Sequence, residues 1–287
     1  MNEQIRHDES VNWLQSSPFV LIHLLPLAAL WTGTRWIDWM VCIGLFWLRM
    51  FFITAGYHRY FAHRTFRMGR RTQFAFAFMA QTSAQMGVLW WSGHHRHHHQ
   101  FSDRAEDLHS PKRGFWWSHC LWFLCKRYEE TPEHLIRDFH RYPELRWLNR
   151  YHIVPPVVLA LLVYAALGTS GLLIGFFLST ALLFHATFTI NSLAHIFGTR
   201  RYPTDDLSRN NWWLALLTLG EGWHNNHHHY QNSCRQGFFW WEIDITWWLL
   251  KGLERLGLIW KMKAPPERIR FAHRAATPAR PSRGVGS

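Results

Sequence analysis

Histidine makes up 21 of the 287 residues, several times ordinary usage, and it is clustered. The first cluster is His58-Arg-Tyr-Phe-Ala-His63, and the second lies in Trp91-Ser-Gly-His94-His95-Arg96-His97-His98-His99. The third is Gly220-Glu-Gly-Trp-His224-Asn-Asn-His227-His228-His229, and a further His195 ends the segment Asn191-Ser-Leu-Ala-His195. His95, His98 and His99 stand at i, i+3 and i+4, one face of a helix; His224, His227 and His228 repeat that spacing, and Asn191 and His195 share a face at i, i+4. His58 and His63 are five apart, about 140° around an ideal α-helix of 3.6 residues per turn, so they converge only if the helix ends or bends there.

Neutral imidazole suits iron, zinc, copper and nickel. Nine histidines from four segments exceed the roughly four to six ligands of a single ion, and two metal ions are the simplest count. A structural zinc site normally includes cysteine, and a zinc hydrolase uses about three ligands with a catalytic carboxylate. A pair of metals open to oxygen chemistry fits better, with iron the expected ion. The stretch HHRHHH alone would read as readily as an adventitious metal tract or a metal-transport loop.

The elements that must position these clusters are apolar. Tyr151 to Thr199 is a run of 49 residues without Asp, Glu, Lys or Arg, which excludes disorder and is longer than a buried core helix needs. The mean hydropathy of −0.19 hides this segregation. Spans are expected at about 18–34, 39–57, 152–167 and 172–191, the last two forming a hairpin about the turn Gly168 to Gly171. Trp31, Trp36 and Trp39 surround the first turn as interfacial aromatics do. Arg49, inside the second span, is expected to snorkel to the near interface. Phe74 to Trp91 reads as one helix lying against the membrane surface, and Phe238 to Trp260 as an interfacial amphipathic helix. The fold class is therefore all-α integral membrane: four transmembrane helices in two hairpins, with a helical cap (58–150 and 195–260) holding the histidine-rich di-iron site. Residues 1–260 form a single domain and 261–287 a basic, disordered tail.

The formal net charge is +12, which could attract nucleic acid, but the basic residues flank hydrophobic spans. Anionic headgroups or an acidic ligand explain them better, and no nucleic acid is expected. Of the 31 Lys+Arg, 15 fall in Arg59 to Arg150 and 13 in Arg200 to Arg283, whereas the two outer turns hold only Arg35. The positive-inside rule puts the polar regions, the site and both termini in the cytoplasm. The first 17 residues carry Glu3, Asp8 and Glu9 and do not read as a signal peptide. The four cysteines show no CxxC pair and suggest neither a disulfide framework nor a zinc ribbon.

With these motifs in view, the sequence resembles the membrane-bound fatty acyl desaturases, specifically the acyl-CoA Δ9 (stearoyl-CoA-type) branch. HRYFAH resembles that family's first box, HRHHH from His95 its second, and GEGWHNNHH its third. NSLAHIFG resembles the segment that supplies a ninth histidine and a water-holding Asn, and DLHSPKRGFWWSH resembles a further family stretch. The likeness covers roughly residues 15 to 245. It implies a di-iron centre held by His58, His63, His95, His98, His99, His195, His224, His227 and His228, with Asn191 acting through water. His94, His97 and His229 fall outside the pattern, and His94 stands where the family commonly has an acidic residue. His109 and His119 match family positions and read as structural; His23 and His185 read as hydrogen-bonded packing residues. Lys126 and Arg127 resemble in placement a basic pair that contacts coenzyme A, and Arg96 joins them as a candidate headgroup contact.

A saturated methylene has no acidic proton, so the cofactor must perform the hard step while the protein positions the chain. The resemblance implies that an acyl chain, O₂, two electrons and two protons give a cis-unsaturated chain, expected at Δ9 on an acyl-CoA, and two waters. A hydroxylase of alkanes or fatty acids, or a desaturase of acyl-phospholipid, is the alternative. The chain has no cytochrome, flavin or iron–sulfur motif. Electrons must come from a separate ferredoxin, rubredoxin or b-type cytochrome with its reductase, and a basic face would attract such an acidic carrier. The expected setting is a bacterial inner membrane.

Overall fold

The structure, a computed structural model, describes residues 9–275. It is mostly helical, and three stretches are long and apolar enough to cross a membrane: α1 (Trp13–Thr32), α2 (Trp36–Ala62) and the 43-residue stretch Val154–Ile196. Asn12 caps α1 by accepting from the Gln15 N–H, and Gly33, at φ 71°, ends it. The next residues turn the chain into α2, where Asp38 in the first turn accepts from the Arg35 N–H at 2.8 Å.

The third stretch is not one rod. Gly168 sits at φ 70°, ψ −160°, a conformation open to glycine and costly for other residues. The chain reverses there, within α6 (Val154–Gly171), and the returning arm continues through π-helical Leu172–Leu178 into α7 (Ser179–Asn191). Gly175 lies against Val163 and Val41, so the arms pack on each other and on α2. The Arg35 guanidinium, bonded to Asp38, also donates to the Leu167 carbonyl and ties the two turns together.

Arg49 corrects one expectation. Its side chain is fully buried, donating to the carbonyls of Leu45 and Thr82, to Thr180 Oγ1 at 2.7 Å and to Ser179 Oγ at 2.6 Å. It does not snorkel. The acceptors of α7 satisfy the guanidinium inside the helix packing, which offsets the cost of burying a charge.

The region expected as one surface helix is two, α3 (Arg70–Gln81) and α4 (Val88–Phe101). Ala84 and Met86, both at positive φ, break the chain between them. α3 and α4 pack with α2 and α5 (Pro143–Arg150) around Phe61, Phe76, Val88, Leu145 and Leu148. α8 (Trp212–Leu217) and α9 (His224–His229) follow. Of Phe238 to Trp260, only α10 (Ile245–Arg255) is helical, because Asp244 caps it by accepting from the Trp247 N–H. Ile259–Trp260 pairs antiparallel with Arg67–Met68. Residues expected to begin a disordered tail form short helices at Glu267–Arg270 and Ala272–Ala275; the remainder of that tail lies outside the described residues.

Candidate metal centre

The last ten residues of α2, Ile53–Ala62, are π-helical. A π-helix bonds i to i+5, and the His63 N–H donates to the His58 carbonyl at 3.2 Å. That bond resolves the awkward five-residue spacing. The two rings that an α-helix would turn apart have centroids 4.8 Å apart.

Nine histidines form two adjacent groups. His58, His63, His95, His99 and His227 bring one ring nitrogen each within 4.8 Å of one another, and so do His98, His195, His224 and His228. The two histidine helices divide their side chains in opposite ways. α4 gives His95 and His99, one turn apart, to the first group and His98 to the second. α9 gives His224 and His228 to the second and His227 to the first. The groups touch through His99 and His228, with centroids 4.4 Å apart.

Carboxylates hold the outer nitrogens. His98 Nδ1 meets Asp107 at 3.0 Å, His195 Nδ1 meets Asp103 at 2.8 Å, His228 Nδ1 meets Asp206 at 2.5 Å, and His58 Nδ1 meets Glu221. A ring that donates from Nδ1 to a carboxylate is left with a lone pair on Nε2. Those lone pairs face other imidazoles: His58 Nε2 is 3.0 Å from His227 Nε2, and His195 Nε2 is 3.0 Å from His224 Nε2. His63 and His99 each approach His95 Nε2, at 2.9 and 3.0 Å. The Nε2 of His228 is buried with no partner at all. Lone pairs facing one another repel unless a cation lies between them. Ligands about 2.1 Å from one ion and at right angles stand ~3.0 Å apart, so the residues present fit a pair of metal ions.

Six of the nine rings share a lowered pKa, whereas His98 is raised by Asp107 against its burial. Burial, followed by the neighbouring rings, pushes His63, His95, His99, His224 and His227 well below the usual histidine range, and burial takes His228 down to about 4. These six are then neutral at pH 7, the form a metal requires. Burial would raise Asp107 and Asp206, but His98 and His228 hold each well below the carboxylate range.

Sequence reasoning missed these carboxylates. Metal-binding histidines need an acceptor at the second nitrogen, and that rule, applied to the few acids near the boxes, was the available signal. Arg59 was missed too. Its buried guanidinium donates to Glu221 at 3.0 and 3.1 Å, to Asp244 at 3.1 Å and to the Cys234 carbonyl at 2.8 Å, so it fixes the carboxylate that orients His58. Asn225 and Asn226 anchor α9. Asn225 accepts from the Arg201 and Tyr202 N–H groups at 2.8 Å, and Asn226 donates to Glu242 at 2.9 Å. The preceding Gly220, at φ 125°, leaves no room for a Cβ, which would fall 2.5 Å from Asp244 Oδ1.

A cavity of about 170 Å³ runs to the first group. Phe19, Ile22, Phe123, Phe184 and Phe188 line its apolar part, and His95, His109 and Asn191 lie among its lining residues. Asn191 thus borders the cavity that reaches the first group. His109 stacks on His98 with centroids 4.2 Å apart, and His94 lies tilted against Trp90 at 4.4 Å. His97 lies against Phe101 and His229 on Tyr202, outside both groups.

The three basic residues considered for a headgroup are placed differently. Arg96 bonds the carbonyls of Phe61, Ala62 and Leu135 and both oxygens of Asp138, so its guanidinium clamps α4 to the end of α2 and is not among the residues lining the cavity. Arg127 pairs with Glu9 at 3.3 Å, which also takes Arg113 at 2.6 Å. Lys126 is exposed, and its N–H donates to the Ser10 carbonyl at 3.1 Å.

Asp107→Asn is expected to weaken metal retention or turnover by roughly 10–100-fold, the usual effect of losing a ligand's outer partner. Metal content against chelator concentration would show it. Wild-type retention would mean that His98 does not need Asp107.

Helical segments long enough to cross a bilayer, two clusters of buried imidazoles able to hold metal ions and a largely apolar cavity reaching one of them define the class of protein to which the chain belongs. The chain belongs to the fatty acid desaturase family, whose model matches residues 34–274. It is 37% identical over 262 residues to the sn-2 palmitoyl-lipid 9-desaturase of Nostoc sp., covering 89% of this chain and 92% of that one. It is 38% identical over 254 residues to Delta-9 acyl-lipid desaturase 1 of Arabidopsis thaliana (86% and 82%), and 37% over 254 residues to an acyl-CoA 5-desaturase of Anemone leveillei (86% and 78%). It is an oxidoreductase of that family.

Proposed function

We propose that this chain is an O₂-dependent Δ9-type acyl desaturase with a di-iron centre, acting on acyl chains carried by membrane lipid. The observation that carries the reading is the pair of imidazole groups beside an apolar cavity. His58, His63, His95, His99 and His227 would hold one iron, and His98, His195, His224 and His228 the other, with Asn191 positioning a water. When bound, the irons supply the reductive activation of O₂ that breaks two C–H bonds. The protein's part is to seat the chain between Phe19, Phe184 and Phe188, exclude bulk water, and fix the depth from headgroup to metal, which sets the double-bond position.

Two features turn the carrier from coenzyme A toward lipid. Glu9 pairs with both Arg113 and Arg127, and Asp138 engages Arg96, which leaves only Lys126 of these without a side-chain partner among the described residues. Guanidiniums already engaged by carboxylates are a weaker match for a nucleotide bearing several phosphates than free ones. Two of the relatives above are, by name, acyl-lipid enzymes. The same reading includes four membrane crossings, with Gly168 as the second outer turn. The site lies on the basic cytoplasmic side of a bacterial inner membrane, with electrons supplied by a separate acidic carrier.

Expression in a host starved of unsaturated fatty acids, with an electron donor co-expressed, tests this by gas chromatography of total lipid. New Δ9 monoenes are expected in phospholipid before they reach the free acyl-thioester pool. Hydroxylated chains would favour a hydroxylase, and monoenes appearing first as acyl-CoA would return the carrier to coenzyme A.

A further inference from the structure

The cavity beside the first imidazole group meets the outside at one place. Among the described residues that line it, only Gln15, Pro18 and Ile153 are exposed. Gln15 and Pro18 lie in the first two turns of α1, and Ile153 immediately precedes α6. Both helix starts are the ends opposite the turns at Gly33 and Gly168. The opening therefore lies between two segments long and apolar enough to cross a membrane, at the end where α2 delivers His58 and His63.

Its two sides are built differently. On the cap side the chain leading into α1 is stitched to the segment 124–129. The Asn12 N–H donates to the Leu124 carbonyl at 2.9 Å, the Lys126 N–H to the Ser10 carbonyl at 3.1 Å, and Asn12 Nδ2 to Glu129 Oε1 at 2.7 Å. Glu9 adds its pairs with Arg113 and Arg127. On the α6 side, among the described residues, no hydrogen bond, ion pair or ring contact joins residues 13–19 to residues 151–157. The surface there is apolar: Trp13 and Leu14 are 75% and 84% exposed, and Ile153 and Val157 51% and 46%. Exposed Trp and Tyr at the ends of spans, as Trp13 and Tyr151 are, settle at the headgroup level of a bilayer. The stitched side faces the cap, and the open side faces lipid.

The polar groups at the opening suit an ester and not a phosphate. No lysine or arginine lines the cavity. Gln15, in the mouth, and His152, next to Ile153, both line it, and neither side chain makes a hydrogen bond among the described residues. Each can donate an N–H to an ester carbonyl. A phosphate drawn inside would lose its water and meet no cation in return.

We propose that the gap between α1 and α6 is a lateral portal. Through it an acyl chain still esterified to a bilayer lipid slides into the cavity, its ester held at Gln15 and His152 and its headgroup left outside. This rests on the lipid carrier proposed above and names the route by which that carrier is used. A chain moving sideways from hydrocarbon into an apolar cavity never crosses water, so the cost of hydrating its methylenes does not arise. Entry from the cap side would first have to open the stitching of residues 10–12 to 124–129.

The test is photo-cross-linking of the full-length protein in nanodiscs of phosphatidylcholine bearing a diazirine at the end of one palmitoyl chain, which needs no turnover. Adducts are expected on Met86, Trp90 or Trp91, which line the cavity and are not exposed, as well as on Leu161 and Leu162, which are exposed on α6. Ile153→Trp and Gln15→Trp fill the portal from either side at exposed positions. Each should cut the cavity adducts by about tenfold, as overfilling a packed site does, and leave those on Leu161 and Leu162 unchanged, which shows that the variant has inserted. Wild-type adducts confined to the outer residues would overturn the portal. So would cavity adducts that survive both substitutions, or that form only with a diazirine-bearing acyl-CoA. Monoenes appearing first in phospholipid, with cavity labelling indifferent to both variants, would sink the portal and leave the lipid desaturase standing. Portal-dependent labelling without any monoene would do the reverse.

Discussion

His227→Ala is expected to remove metal from the first group and abolish desaturation while the protein still folds and inserts. His227 Nε2 lies 3.0 Å from His58 Nε2 and 2.9 Å from His99 Nε2, while its Nδ1 is buried with no partner. The ring therefore has one task, at the centre of its group. α9 keeps its anchors, since Asn225 and Asn226 hold it to residues 201–202 and 242. Loss of a ligand should exceed the roughly 10–100-fold effect of losing an outer partner. Iron per chain by elemental analysis, product by gas chromatography and monodispersity in detergent read the three parts separately. Sustained turnover in this variant would remove His227 from the ligand set.

Arg59→Met should fail in a different way. The guanidinium is buried between Glu221 and Asp244, and removing it strands two carboxylates away from water. Breaking a buried ion pair by deleting one partner costs about 3–5 kcal/mol. The expected outcome is a large fall in folded yield and thermal stability, with the His58 ring losing its orientation because Glu221 is released. Arg59→Lys keeps the charge but not the fork that reaches two acids and a carbonyl, so it should lie between the two. A methionine variant with wild-type unfolding behaviour would show that the acids find other partners.

Much of the site was readable along the chain. The i, i+3, i+4 spacing of His95, His98 and His99 and of His224, His227 and His228 needs only helical geometry. The apolar run from Tyr151 to Thr199 needs only hydropathy, and the glycines at 168 and 171 marked its turn. What failed was local geometry set by distant partners. His58 and His63 looked ill-spaced because an α-helix was assumed, and the π-helical turn that aligns them shows no pattern of its own in HRYFAH. Arg49 read as snorkelling because its acceptors, Ser179 and Thr180, lie 130 and 131 residues away. The pairing of Arg96 with Asp138, 42 residues on, was likewise invisible along the chain.

Residue type and interval determined by themselves that imidazoles would crowd at the ends of apolar helices, since both follow from side-chain chemistry and a repeat of 3.6 residues. Only the tertiary structure decided how those imidazoles divide into five and four, which carboxylate stands behind each ring, and that three further histidines join end to end. Hydrogen bonds and ring contacts act over about 3 to 5 Å in space and do not depend on separation along the chain. Partners 92 or 162 residues apart, such as Asp103 with His195 or His23 with His185, meet only once the helices have packed.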